Sequence, residues 1–343
     1  MTLARDVNVV DDDSNWAVLS MLRFFLAMVV LLGHNDFYVG GRHDWTAIGL
    51  WLNQGSAVFG FFILSGYGIA ASLEQRAAGY YRRRFVRIWP LYLTCIAFGL
   101  LVSLRLPHGI FWPTGHFFPP ATLSSIICSL LMLQTIVTYS IPIAGQIWSL
   151  SPEWWHYMLA PVLTKLSTLT LLTLLLLSFE AFMAIAPPAG GGPEGFTHGL
   201  SFITLSWLWV TGFTYRRLDR RPAGAALLAI PSVLALFFGH FTGLPLFISI
   251  FVLMVSREFK IAKECRRIFN YLGDLSFPLY LFHMPVMALM LSLGARSTPP
   301  MITAALLVSI AALHGIDYPA RVFFRTRQKH PAVQLVPDRI STS

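Results

Sequence analysis

An arginine and a histidine stand at the two ends of one apolar run near the beginning of the chain. Arg23 and His34 bound the stretch RFFLAMVVLLGH, which is otherwise apolar. Eleven residues at about 100° each bring both side chains back to nearly the same helix face, roughly 16 Å apart along the axis. Because an ionisable side chain inside a membrane span is costly, it usually faces a cavity or a partner. An arginine there suits an anion such as phosphate, and a histidine suits general base chemistry near neutral pH.

A purely structural interpretation of the same pair is also available. The long side chain of Arg23 can extend to the membrane surface while its stem stays in the apolar region. His34 can simply end the helix. Because both residues lie on one helix face, we favour the interpretation that they line the same substrate path.

Four arginines lie close together at the start of the third apolar run. Arg82, Arg83, Arg84 and Arg87 belong to the stretch RRRFVRIWP. Such a cluster marks the cytoplasmic end of a span and contacts anionic lipid headgroups. It also suits the phosphates of coenzyme A, because guanidinium groups form forked, charge-assisted hydrogen bonds with phosphate. Arg84 and Arg87 are three residues apart, share a helix face and are expected to bind one anion together.

A carboxylate lies among tryptophans in WSLSPEWWHY, residues 148–157. Glu153 is flanked by Trp148, Trp154 and Trp155. Tryptophan is enriched at membrane interfaces, which alone explains the aromatic residues. The carboxylate can orient and stabilise a histidine, as carboxylates do in catalytic triads. His156 shares the face of Glu153 in a helix and is a weaker candidate.

Two further polar residues lie within apolar segments. Ser65 belongs to GFFILSGYGIA (60–70), whose small residues allow close helix packing. A serine nucleophile needs a neighbouring base, and nothing nearby in the sequence supplies one. His283 lies in LYLFHMP, where a satisfied interior histidine is the structural alternative to a functional one.

The composition places these residues in an integral membrane protein. Of 343 residues, 55% are hydrophobic and 12% are charged, whereas soluble domains have about 25% charged residues. The mean hydropathy is +0.63. The net charge of +9 comes from basic residues between apolar runs, the pattern of cytoplasmic loops, so no nucleic-acid partner is expected. Three cysteines without paired spacing indicate neither a disulfide framework nor a metal site.

Apolar segments recur along the whole chain and predict a helical bundle. Eleven segments have this character: 17–34, 46–73, 84–104, 122–139, 148–164, 168–187, 199–214, 223–239, 243–257, 274–293 and 300–317. The acidic residues before the first segment differ from the basic region of a cleaved signal peptide. The first segment is therefore predicted to be a retained span.

The basic residues of the connections indicate how many segments cross the membrane. They cluster at 76–87, at 216–221, at 257–267 and from 321 onwards. If one segment within 122–187 fails to cross, every cluster is cytoplasmic. We therefore expect about ten crossings, with both termini in the cytoplasm. The segment 148–164, which contains Pro152 and Pro161, is the expected exception.

The motifs together resemble the acyltransferase-3 family of integral-membrane O-acyltransferases. Arg23 and His34 match the R-x10-H motif of its first helix. Further stretches match in order: GFFILSGYGIA, YRRRFVRIWPLYL, WSLSPEWWHYML, LGDLSFPLYLFHMPV and DYPARVFFR. The likeness covers residues 18–325. Pro152 departs from the family, where an aliphatic residue is usual, and this puts the local backbone in question.

The resemblance implies an all-α transmembrane domain over residues 17–320, between cytoplasmic tails 1–16 and 321–343, in a bacterial cytoplasmic membrane. It implies acetyl-CoA, or a short acyl-CoA, as donor and a carbohydrate or related hydroxyl as acceptor. We predict His34 and Glu153 as catalytic residues. The predicted substrate-binding residues are Arg23, Ser65, Arg82, Arg84, Arg87, Trp148 and His283.

Two chemistries stay open for His34. It can deprotonate the acceptor hydroxyl for direct attack on the thioester, or carry the acyl group itself as an acyl-imidazole. The general-base role is preferred because it needs no extra step. The alternative function is a multispan transporter or flippase of a glycan or lipid-linked precursor, in which intramembrane polar residues line a substrate path.

Overall fold

The protein is a bundle of α-helices. The computed structural model describes residues 13–40, 52–115, 117–185, 198–218, 222–237 and 243–329, and these ranges are almost entirely helical. The predicted all-α fold is confirmed for this part of the chain. Residues 46–51 of the second predicted span, and most of both predicted tails, lie outside the described ranges.

Twelve α-helices follow one another in the described ranges. They are α1 (Asp13–Val39), α2 (Gln54–Gln75), α3 (Tyr80–Ser103), α4 (Leu123–Leu130), α5 (Leu150–Leu163), α6 (Thr168–Ile185), α7 (Leu200–Leu218), α8 (Pro222–Phe237), α9 (Leu244–Val255), α10 (Lys263–Ser292), α11 (Thr298–Ala312) and α12 (Tyr318–Lys329). Two short 3₁₀ helices, Pro142–Ser149 and Ser256–Glu258, precede α5 and follow α9. A π-helical turn, Leu313–Asp317, joins α11 to α12.

A small β-hairpin lies between α3 and α4 and was not predicted. Its strands are β1 (Ile110–Phe111) and β2 (Phe117–Phe118), with Ile110 opposite Phe118. Each strand has only two residues, so the hairpin adds little to the bundle.

Six helices of the described chain are long and apolar enough to cross a membrane. They are α1, α2, α3, α6, α10 and the continuous α11–α12 rod up to Phe324. The expected ten crossings, and the cytoplasmic location of both termini, stay predictions. The rod has no break at the predicted domain boundary between residues 320 and 321, because α12 runs through it.

Two short helices lie in the region 122–187, where one segment is expected not to cross the membrane. In the segment 122–139 only the eight residues of α4 are α-helical, about 12 Å at 1.5 Å per residue. In the segment 148–164, α5 has 14 residues, about 21 Å, against a hydrocarbon thickness of about 30 Å. The segment 122–139 therefore departs further from a spanning helix than 148–164, which was the expected exception.

The helices of the core pack through small residues, as the glycines of α2 predict. A Cβ atom on Gly66 would lie 2.0 Å from the Trp209 carbonyl oxygen, and one on Gly212 would lie 1.9 Å from the Ile63 carbonyl oxygen. The backbones of α2 and α7 therefore touch reciprocally, which only glycine permits. This contact fixes the face of α2 that is left for the cavity described below.

Replacing Gly66 with alanine is expected to destabilise the bundle. The new methyl group meets backbone, which cannot rotate away, and overpacking of this kind costs about 1–3 kcal/mol. Gly68→Ala is the matched control, because its Cβ would lie 3.6 Å from Arg23 Nη2, an ordinary contact. Thermal unfolding of both variants in detergent should show a lower midpoint for Gly66→Ala alone. Equal midpoints would contradict the close contact of α2 with α7.

Candidate functional site

A cavity of about 900 Å³ opens inside the bundle. Its walls come from α1, α2, α3, α5, α10 and α12. The lining includes six of the predicted site residues: Arg23, Ser65, Arg82, Arg84, Arg87 and Glu153. Residues that are up to 130 positions apart in the sequence are thus brought into one cavity by the packing of the helices.

The cavity carries a strong excess of positive charge. Seven arginines line it, against the two carboxylates Glu153 and Asp274. Six of these arginines belong to the ends of helices at one side of the bundle: Arg76, Arg82, Arg83, Arg84, Arg87 and Arg321. A cleft with charge of one sign and apolar walls attracts ligands of the opposite charge. The cavity therefore suits an anionic ligand.

Arg23 lies deeper than the other arginines, on α1. Its Nη2 atom lies 3.6 Å from the position that a Cβ atom on Gly68 would occupy, so the guanidinium group packs beside α2. No hydrogen bond or ion pair joins Arg23 to another residue of the described ranges, and the carboxylates Glu153 and Asp274 act on it only at longer range. A guanidinium group that faces a cavity without a protein acceptor can bind an oxygen atom of a ligand.

Ser65 and Glu153 meet through a tyrosine. The hydroxyl group of Tyr157 donates to Glu153 Oε1 at 2.5 Å and lies 3.0 Å from Ser65 Oγ. Tyr157 follows Glu153 by four residues on α5, so one helix face carries both. The predicted partner of Glu153 was a histidine, and in the described chain its side chain is hydrogen-bonded instead to Tyr157 and Ser65. Glu153 is therefore part of the cavity wall and not part of a histidine dyad.

Arg84 and Arg87 diverge although they lie on one helix face. Arg84 Nη2 donates to Ser72 Oγ at 2.9 Å, and its guanidinium carbon lies 5.6 Å from the ring of Tyr80. Arg87 turns towards α10 and lies 3.3 Å from Asp274 Oδ1. Both guanidinium groups line the same cavity. Their joint binding of one anion stays a prediction.

The C-terminal helix α12 closes one side of the cavity through charged contacts. Arg82 Nη2 donates to the Phe324 carbonyl oxygen at 2.7 Å. Arg321 Nη1 lies 3.0 Å from Asp274 Oδ1, and Arg321 also forms an ion pair with Asp317. Asp317 is only 1% exposed, and its second contact is Arg87 at 3.9 Å. These ion pairs tie α3, α10 and α12 together around the cavity.

His34 pairs with His283, the other predicted histidine. His283 Nε2 lies 3.2 Å from His34 Nδ1, and the ring centroids are 5.0 Å apart. His283 is fully buried, whereas His34 is partly exposed as a residue. The packing of α1 against α10 produces this pair. The two helices are in close contact, because Gly273 of α10 packs directly on Ser20 of α1.

The backbone contacts of the two rings define their protonation. His34 Nδ1 lies 2.9 Å from the Val30 carbonyl oxygen, and His283 Nδ1 lies 3.1 Å from the Leu279 carbonyl oxygen. A carbonyl oxygen only accepts, so each Nδ1 carries the hydrogen in the neutral ring. His283 Nε2 then presents a lone pair to His34 Nδ1–H. His34 Nε2 keeps a lone pair that no other described residue binds, as a general base requires.

Two predicted residues lie away from the cavity. Trp148 is 7% exposed and packs in the core, and it is absent from the cavity lining. His156 does not accompany Glu153 into the cavity: its Nε2 lies 2.8 Å from Ser206 Oγ, and its ring stacks on Phe202 and Trp209. The ring of His156 therefore has hydrogen-bond partners and packs between α5 and α7.

Several residues of the site were not predicted. Tyr157 was detectable, since it lies one helical turn after Glu153. Asp274 and Arg321 lie within motifs that were recognised as a whole, LGDLSFP and DYPARVFFR, but an ion pair between distant helices leaves no spacing signal. Tyr280, which joins the cavity to His283, lies three residues before that histidine.

Comparison with known proteins gives one family and one relative. A family model described as an acyltransferase domain matches residues 16–314. Acyltransferase MdmB of Streptomyces mycarofaciens is 29% identical over 161 residues, which cover 43% of this chain and 39% of the relative. The matched region thus spans about two fifths of the length of that curated relative. No solved structure matches the chain at a significant level.

Proposed function

Because the chain belongs to the acyltransferase-3 family, whose domain matches residues 16–314, we propose that it is a membrane O-acyltransferase. The donor is acetyl-CoA, or another short acyl-CoA, taken from the cytoplasm. The acceptor is a hydroxyl group of a carbohydrate or a related molecule. The observation that carries the proposal is the arginine-lined cavity, which ends close to the His34–His283 pair.

The distribution of charge in the cavity supports the binding of coenzyme A. The arginines of α3 and α12 lie at one end, where basic residues mark the cytoplasmic side of membrane helices. They suit the phosphates of the nucleotide. Arg23, further in, suits an oxygen atom of the pantetheine arm or of the thioester. The apolar walls beyond Arg23 suit the acyl end of the donor.

The histidine pair supports general-base catalysis. In this step His34 Nε2 takes the proton of the acceptor hydroxyl, and the hydroxyl oxygen attacks the carbonyl carbon of the thioester. The carbon–sulfur bond then breaks, the ester forms, and the proton passes to the sulfur of the departing coenzyme A. The lone pair of His283 Nε2 faces the Nδ1–H of His34 and stabilises the imidazolium that forms. His283 is thus a positioning residue for His34.

Release of free coenzyme A tests the proposed function. The purified protein in proteoliposomes is supplied with labelled acetyl-CoA, with and without a panel of surface glycans from the source cells. We expect free thiol and labelled glycan to form together, and only when acceptor is present. Movement of unmodified glycan across the membrane, without thiol release, would instead support the transporter.

Replacing His283 with alanine is expected to lower kcat by about 10-fold, within the range for a lost hydrogen bond near a charge. The Michaelis constant for acetyl-CoA should change little, because His283 does not line the cavity. The pH–rate profile should also shift, since His34 loses a neighbour that stabilises its charged form. His283→Asn, whose amide oxygen accepts a hydrogen bond, should recover part of kcat. An unchanged pH profile would leave His283 with a packing role only.

A further inference from the structure

Two aromatic rings line the part of the cavity that lies towards the histidine pair. Phe61 of α2 and Tyr280 of α10 both line it, and their rings meet edge to face with centroids 5.8 Å apart. Val58, which is 6% exposed, completes the wall beside Phe61. The side chains of Phe61, Tyr280 and Val58 form a wall on the side of the cavity that faces the histidine pair.

This wall stands directly before the histidine pair. On α10, Tyr280 precedes His283 by three residues, about 4.5 Å of helix rise, and the two rings are 6.0 Å apart. On α2, the deepest residue of the lining is Val58. Gln54 lies one turn beyond it and packs against Gly33, the neighbour of His34.

The two rings of the wall are held differently. The Tyr280 hydroxyl lies 2.6 Å from Ser149 Oγ and donates to the Gln146 carbonyl oxygen at 2.9 Å. Tyr280 is therefore fixed by polar contacts. The ring of Phe61 carries no group that can form such a hydrogen bond, and Phe61 is partly exposed in the cavity lining. Its removal enlarges the inner end without leaving a buried polar group unpaired.

From these contacts we propose that Phe61 limits the length of the acyl group that the cavity accepts. The inference rests on the proposed function, in which an acyl-CoA enters this cavity with its acyl end first. The acyl chain then points at the wall, and protein interiors are packed too densely for further methylene groups to enter without displacement of a side chain. A short acyl group fits in front of Phe61, and a longer one meets its ring.

Binding of a series of donors tests this inference without an acceptor. The full-length protein in detergent is titrated with free coenzyme A and with acetyl-, butyryl- and hexanoyl-CoA. The wild-type protein should bind acetyl-CoA in preference to hexanoyl-CoA. In Phe61→Ala, the affinity for hexanoyl-CoA relative to acetyl-CoA should rise about tenfold or more, because the added methylene groups become buried. Phe61→Trp should sharpen the preference for acetyl-CoA.

The controls separate this inference from the proposed function. Phe98→Ala is the matched variant, since Phe98 packs on Phe282 with centroids 6.1 Å apart and does not line the cavity. An equal rise in the relative affinity for hexanoyl-CoA in Phe98→Ala and Phe61→Ala would overturn the inference. An unchanged chain-length preference in Phe61→Ala would overturn it too. If Phe61→Ala does not fold, Phe61→Leu and Phe61→Trp must shift the preference in opposite directions. Absence of any coenzyme A binding by the wild-type protein would instead refute the donor cavity.

Discussion

Replacing His34 with alanine is expected to reduce acyl transfer by about 10²- to 10⁴-fold, the usual contribution of a general acid or base. The Nε2 lone pair of His34 is the base in the proposed step, and alanine offers no substitute. His283 does not replace it, because its ring is fully buried. Binding of acetyl-CoA should persist, because the cavity lining does not include His34. The measurements are thiol release in proteoliposomes and donor titration in detergent.

The control for this variant is His314→Ala. His314 is exposed and contacts Tyr271 at 3.3 Å, away from the cavity. The His314→Ala variant should transfer acyl groups at the wild-type rate. Added imidazole should restore part of the activity of His34→Ala, since a free base can enter the vacated space. Wild-type turnover by His34→Ala would refute the catalytic role of the residue.

The two chemistries of His34 are separable in the same preparation. With labelled acetyl-CoA and no acceptor, an acyl-imidazole leaves label on the wild-type protein and none on His34→Ala. General-base catalysis leaves no label on either. The geometry is compatible with both, because Nε2 is the atom that would act in each case.

Replacing Arg23 with glutamine is expected to weaken acetyl-CoA binding by about 10- to 100-fold, since a hydrogen bond to a charged group contributes about 1.5–3 kcal/mol. The reason is the position of the side chain: its guanidinium group faces the cavity at depth and is engaged by no acceptor of the described chain. Arg23→Lys should recover only part of the loss, because lysine lacks the planar fork of arginine. Calorimetric titration with acetyl-CoA measures the affinity of both variants.

The control for Arg23 is Arg217→Gln, which removes the same charge from the exposed end of α7. Arg217 donates to the Leu166 carbonyl oxygen at 2.5 Å and does not line the cavity. Its substitution should leave the affinity for acetyl-CoA unchanged. If Arg217→Gln and Arg23→Gln weaken binding equally, the effect is one of overall charge. If neither does, the ligand does not contact Arg23.

The amino-acid sequence by itself determined the class of protein and identified several polar residues of the cavity lining. Long apolar runs need helices in which every backbone group is paired, so composition alone predicted an all-α membrane bundle. The polar residues inside those runs are few. Because burying them in a membrane is costly, they were the natural candidates for site residues. Six of the nine predicted site residues line the cavity, and two of the others, His34 and His283, pair just beyond its inner end.

Only the tertiary structure decided how these residues are partnered. Helical spacing relates positions within one helix, whereas contacts such as Arg87 with Asp274, or His34 with His283, depend on which helices pack together. Trp148 lies outside the cavity lining for that reason, since its burial depends on the turn of the 3₁₀ helix Pro142–Ser149. The aromatic wall at Phe61 likewise has no sequence signal, because a phenylalanine in an apolar helix looks the same whether it faces lipid, core or cavity.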